Sequence, residues 1–206
     1  QLAAIAAKVD AVEKKPVAEV KWKGGPETSG QGGWTFKPRG RIHYDAGYVS
    51  VPGDYAVNRN LGFNSRVRRA RLGAEGSMPG GFGYKVEAEF SGGSVAFGDT
   101  LLSYSPNNAP ISVRIGNFET LNGMEQITSS NNASFTERAA FNDAFLNSRR
   151  LGGAVAWHDS DNVLRAEVGL FTGHTIDSSF DNDGWMGAGR LTFAPKAFGG
   201  QLHFGA

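Results

Sequence analysis

From Trp34 onward the chain alternates. In WTFKPRGRIHYDAGY, Trp34, Phe36, Ile42, Tyr44 and Tyr48 fall on one face, and Lys37, Arg39, Arg41, His43 and Asp45 on the other. That is the period of two which a strand gives its side chains. The apolar face carries aromatics near both ends and smaller residues between them, as in a strand crossing a bilayer with interfacial girdles. A strand this long is rarely needed by a soluble sandwich.

The pattern repeats along the chain. In RVRRARLGAEGSM, Arg69, Arg71, Gly73 and Glu75 alternate with Ala70, Leu72, Ala74 and Met78, and strict parity leaves Arg68 on the apolar side, near the outer rim. After the turn PGGFG, Tyr84, Val86, Ala88 and Phe90 oppose Lys85, Glu87 and Glu89, a hairpin with one apolar and one charged face. VAFGDTLLSY sets Asp99 opposite Thr100, Leu102 and Tyr104; ISVRIGNF sets Ile111, Val113 and Ile115 opposite Ser112, Arg114 and Gly116. RRLGGAVAWH turns Leu151, Val155 and Trp157 outward, VLRAEVGLF sets Leu164, Val168 and Leu170 against Arg165 and Glu167, and WMGAGRLTF sets Trp185, Leu191 and Phe193 against Arg190. Eight strands are predicted, and QLHFGA begins a ninth.

The turns alternate in length as well. Those at 79–83, 105–110, 159–162 and 195–200 are short, those at 49–62, 119–148 and 173–184 long, with Ser91 to Ser94 the exception on the long-loop end. Antiparallel strands put alternate turns at opposite ends, so one end is trimmed and the other elaborated, as in outer-membrane barrels. The passage from Glu119 to Phe145, rich in Asn, Ser and Thr, is long for a connection and is read as a functional loop.

Charge decides which solvent each face meets. Arg at the bilayer midplane costs roughly 2–4 kcal/mol, so the Arg, Lys and Glu rows must face water. A closed barrel satisfies both faces, with apolar residues toward lipid and charge toward an aqueous interior. The fold class predicted is all-β, a transmembrane antiparallel β-barrel over residues 34–206. No run of about 18 apolar residues suggests a membrane helix. Cysteine is absent and the net charge is +1, which excludes a disulfide framework and a thiolate site and argues against a nucleic-acid partner.

Ahead of the barrel, Leu2, Ile5, Val9 and Val12 in residues 1–15 have coiled-coil spacing, ended by Pro16. This short helix is expected in the periplasm, with partner copies completing its seam. Residues 16–33, punctuated by Gly and Pro, read as a linker.

The candidate pore-lining residues are Arg39, Arg41, Arg69, Arg71, Lys85, Arg114, Arg165 and Arg190, because rings of Arg or Lys select anions. The alternative for each is a cross-strand ion pair that keeps the interior hydrated. Glu119, Glu125, Glu137 and Arg138 are the charged residues of the candidate constriction loop. His43, His158 and His203 line the interior by parity, without metal-ligand spacing. Asp177, Asp181 and Asp183 lack the spacing of a calcium loop, and no Ser lies in a nucleophile elbow. No cofactor, metal or catalytic residue is expected. An outer-membrane tether using the N-terminal coil, or a barrel enzyme such as a lipase, are the competing functions.

FNSRVRRARLGAEGSM, YKVEAEF, GDTLLSY, VRIGNFETLNGMEQITSSNNASFTERA, GLFTGH and GRLTFAP together resemble the phosphate-selective porins of the O and P type over about residues 33–206. The resemblance implies a homotrimeric porin in the bacterial outer membrane, in contact with lipid and lipopolysaccharide. It implies sixteen strands per chain, of which about the first half is present here, and a third external loop folded into the channel. Where that family carries Gln-Phe-Lys after the glycine, this chain has Asn117, Phe118 and Glu119. The expectation is therefore passive uptake of small hydrophilic solutes, anions such as phosphate among them.

Overall fold

A computed structural model describes residues 19–50, 61–107, 109–145, 147–177 and 183–206. The N-terminal helix predicted over residues 1–15 lies outside the described residues.

Eight long strands follow one another in chain order. They are β3 (Thr35–Val49), β4 (Gly62–Met78), β5 (Phe82–Glu89), β6 (Ala96–Tyr104), β7 (Ile111–Glu119), β8 (Arg149–His158), β9 (Leu164–Thr172) and β10 (Trp185–Phe193). Each pairs antiparallel with the next. Their positions match the alternating segments of the sequence, because one apolar and one polar face fix the register of a strand. The stretch read as a linker instead holds a hairpin, β1 (Glu19–Trp22) and β2 (Pro26–Ser29), which joins the sheet through Thr28–Phe36 and Ser29–Thr35. Its glycines and proline mark the hairpin turn and edge rather than a free tether. Downstream, β11 (Lys196–Ala197) and β12 (Gly200–Gln201) form a separate pair, and β13 (Phe204–Gly205) adds to β10. The main sheet thus has eleven strands in the order β1 to β10, then β13.

The distribution of apolar and polar residues is inside out. Ile42, Tyr48, Phe63, Leu72, Ile115, Leu170 and Trp185 are all more than 60% exposed, whereas Glu87 and Glu167 are 6% exposed. Aromatic pairs mark the short-turn end, with Phe82 and Tyr104 at 4.7 Å and Phe193 and Phe204 at 6.3 Å between ring centroids. Tyr48, Phe63 and Trp185 mark the other end, so the outer face carries the two girdles that its sequence predicts. No helix among the described residues is long and apolar enough to cross a membrane.

The sheet curls toward its charged face. Arg41 on β3 and Arg149 on β8 line one cavity of about 150 Å³, yet five strand spacings in a flat sheet would separate them by about 24 Å. A bulge assists the curl at one point. The β3–β4 ladder pairs His43 with Arg69 and Tyr44 with Val67, leaving Arg68 opposite no residue. The extra residue re-aims the chain. It returns Val67 to the outer face and Arg66 to the inner one, so the parity that placed Arg68 on the lipid side fails here. The guanidinium of Arg68 turns to the inner face and bonds to Asp45 at 2.5 Å.

Candidate functional site

Between β7 and β8 the chain leaves the sheet for residues 120–148 and crosses its inner face. Two short helices interrupt the passage, α1 (Met124–Ile127) and α2 (Ala140–Phe145). Both rims of the curved sheet hold this loop, each by different chemistry.

The first anchor is apolar. Phe118, at the inner end of β7, meets Phe171 of β9 edge to face at 5.3 Å, and Leu121 and Ala154 complete a buried cluster with Leu101, Met186 and Ala188 around it. Phe171 lies over Gly152 and Gly169, where a Cβ would collide with its ring. Arg114 sits over the Phe118 ring at 4.7 Å, a cation–π contact. Sequence reading passed over this cluster. Phe118, Phe171 and Leu101 occupy inward positions, and that is the signal that could have found it.

The second anchor is polar. Arg41 Nη1 donates to Ser130 Oγ at 2.5 Å. Arg68 and Arg66 donate to Glu137 at 2.5 and 3.2 Å. The loop also fixes itself, since Arg138 donates to the carbonyls of Glu125 and Thr128, both at 3.0 Å. Glu125 accepts from Ala139 N at 3.1 Å and Asn142 Nδ2 at 2.5 Å. The Arg68 guanidinium holds the Glu137 carboxyl below the ordinary carboxylate range, and Arg66 and Arg69 add to the effect.

The four charged loop residues therefore have distinct places. Glu125 and Arg138 brace the loop, with Arg138 also lining the cavity, and Glu137 latches the loop to β4. Glu119 closes β7 and is paired with Arg149 at 2.9 Å, while accepting from Gln126 Nε2 at 3.0 Å.

Along the wall most of the predicted cations are paired. Arg39 binds Glu75 at 2.9 Å, and Arg71 binds Glu87 at 2.9 Å and Glu89 at 2.6 Å. Lys85 binds Asp99 at 2.5 Å, Arg41 lies 3.7 Å from Glu87, and Arg114 and Arg165 both reach Glu167. Arg69 and Arg190 have no carboxylate within 4 Å among the described residues; Arg69 touches His43 Nδ1 at 3.3 Å. Arg149, which alternation from Leu151 assigns to the outer face, was missed. As the first residue of β8 beside the last of β7, it turns inward under the loop and bonds to Asp99 at 2.7 Å.

The cavity between loop and wall collects this charge. Arg41, Arg69, Arg71, Lys85, Arg138 and Arg149 face Glu87, Asp99 and Glu119 across about 150 Å³, closed on the loop side by residues Gln126 to Ser130. Six cations stand against three carboxylates, so the narrow space is positive. Arg39, Arg114, Arg165 and Arg190 lie outside it, on lower parts of the wall.

A long polar loop pinned across the charged face of an inside-out sheet matches one known family. The model of the phosphate-selective porin O and P family covers residues 36–206 of this chain. The chain belongs to the phosphate-selective porin O and P family. Its match to an uncharacterized protein of Caulobacter vibrioides is 36% identical over 217 residues, covering all of this chain and 43% of that protein. The chain thus spans less than half the length of that relative. Membership in this porin family implies the bacterial outer membrane.

Proposed function

We propose that this chain supplies part of the wall and the constricting loop of an outer-membrane porin that passes small hydrophilic anions, phosphate among them. The observation that carries the reading is the positive cavity beneath the loop, with six cations around three carboxylates. An ion entering so narrow a space sheds part of its water. Guanidinium and ammonium donors held in place replace that water for an anion and repel a cation. Ion pairing with Glu87, Asp99 and Glu119 fixes the donors, so little reorganisation accompanies each passage. Arg69 and Arg138, with no ion-pair partner among the described residues, supply the excess field.

Barrel closure belongs to the same proposal. β3 is paired along its length with β4, but on its other side, among the described residues, only at Thr35 and Phe36. The remainder of that edge needs a partner strand, because a strand edge open to lipid leaves backbone groups unsatisfied. The sixteen-strand, trimeric assembly, and a periplasmic coil from residues 1–15 that supports it, complete the reading.

Planar-bilayer recording under a potassium chloride gradient tests it. Stepwise conductance with an anion-biased reversal potential is expected. A cation-biased potential overturns the anion preference, and absence of conductance overturns the channel.

A further inference from the structure

A second cavity, of about 620 Å³, lies between the loop and strands β5 to β10, and its chemistry differs from that of the constriction. One side is cationic, with Arg114, Arg165 and Arg190. Arg114 and Arg165 share the single carboxylate of Glu167, so part of their donor set stays free, and Arg190 has no carboxylate partner among the described residues. The other side is apolar. Leu121 and Phe118 are buried and anchor the loop, but Met124 and Ile127 of α1 remain 58% and 41% exposed while lining the same space. Three residues apart on a helical turn, these two share a face. Loop anchoring does not use them, and in a passage for inorganic ions they are a cost without a return.

We infer that this cavity is a binding site for organic anions with an apolar body, such as aromatic or medium-chain aliphatic carboxylates. The carboxylate is held by Arg190 and the free donors of Arg165, and the hydrocarbon body lies against Met124 and Ile127. Inorganic phosphate or acetate satisfies the cationic side alone. The inference rests on the channel reading, because the cavity opens on the face that this reading makes the water-filled interior.

The test is block of chloride current through the reconstituted protein by benzoate, hexanoate or acetate. Benzoate and hexanoate are expected to block with about tenfold tighter apparent affinity than acetate. Met124→Ser, which lies outside the constriction cavity, should shrink that difference several-fold while chloride conductance persists, and Arg190→Gln should weaken block by all three. Equal block by benzoate and acetate in a channel that conducts chloride overturns the inference, as does a gap that Met124→Ser leaves unchanged. Absence of chloride current in the unmodified protein overturns the channel reading instead, so the two failures are told apart by the first measurement.

Discussion

Arg68 donates to Asp45 at 2.5 Å from a position that strict alternation gives to the opposite face of β4. The bulge makes this contact available, and it also aims Arg68 at Glu137 in the loop. The ladder on either side is already in phase, His43 with Arg69 and Tyr44 with Val67. Excising Arg68 should therefore join two correctly facing halves. The expected outcome is a protein that folds and inserts as before, seen as unchanged heat-modifiable migration on a gel, with noisier open-channel current because the loop has lost its main latch. A protein that no longer folds would show that the bulge shapes the wall rather than the loop.

The same latch gives a pH dependence of known sign. Arg68 depresses the Glu137 pKa, so the contact is fully present above the ordinary glutamate pKa of about 4.3 and is lost only as pH falls through the lower, folded value. Open-channel noise should stay flat from neutral pH to about 4 and rise below it. Glu137→Gln should raise the noise at neutral pH and remove that acid-induced component. A rise centred near neutral pH would assign the latch to another group.

Much of this was legible in the chain itself. The strands β3 to β10 could be read because residues such as Ile42, Leu72 and Ile115 keep one parity, and Arg41, Arg71 and Arg114 the other. The loop could be read from its length and composition. The face of Arg68 could not, since a bulge is a property of two paired strands and leaves no mark on either alone. Arg149 was hidden for a related reason, because alternation loses its meaning at the strand end where the loop turns inward. The pairing of Glu119 with Arg149 was equally out of reach; it neutralises the carboxylate that stands where the family carries Lys.

Arg149 is the counter-charge for two carboxylates, Asp99 at 2.7 Å and Glu119 at 2.9 Å. Arg149→Gln leaves Asp99 to Lys85 and exposes the charge of Glu119 to the passage. The reversal potential should shift toward cations, and the shift should largely vanish in the double variant with Glu119→Gln. A double variant that stays as cation-biased as the single would assign the effect to Asp99.

Phe118 is 2% exposed and carries the apolar anchor of the loop through Phe171 and Leu121. Phe118→Ala should cost roughly 3–5 kcal/mol where the cavity cannot collapse, and Arg114 loses the ring beneath it. A lower thermal transition and larger conductance fluctuations are expected together. Lower stability with quiet channels would mean that the polar anchors alone hold the loop.

Arg39 and Arg69 face the same interior, but among the described residues only Arg39 has a carboxylate partner. Arg39 is matched by Glu75 at 2.9 Å, so Arg39→Gln removes one side of a solvated pair and exposes a single negative charge outside the narrow cavity. Arg69 stands among Arg41, Arg71 and Arg138 at the narrow cavity, with no carboxylate of the described residues within 4 Å. Field at a constriction weighs more on permeation than field in a wide, hydrated region, where salt screens it over about 10 Å. Arg69→Gln should therefore lower anion conductance and selectivity several-fold more than Arg39→Gln, and the difference should shrink as salt is raised. Equal effects at low salt would show that selectivity is set by the summed charge of the wall rather than by the cations under the loop.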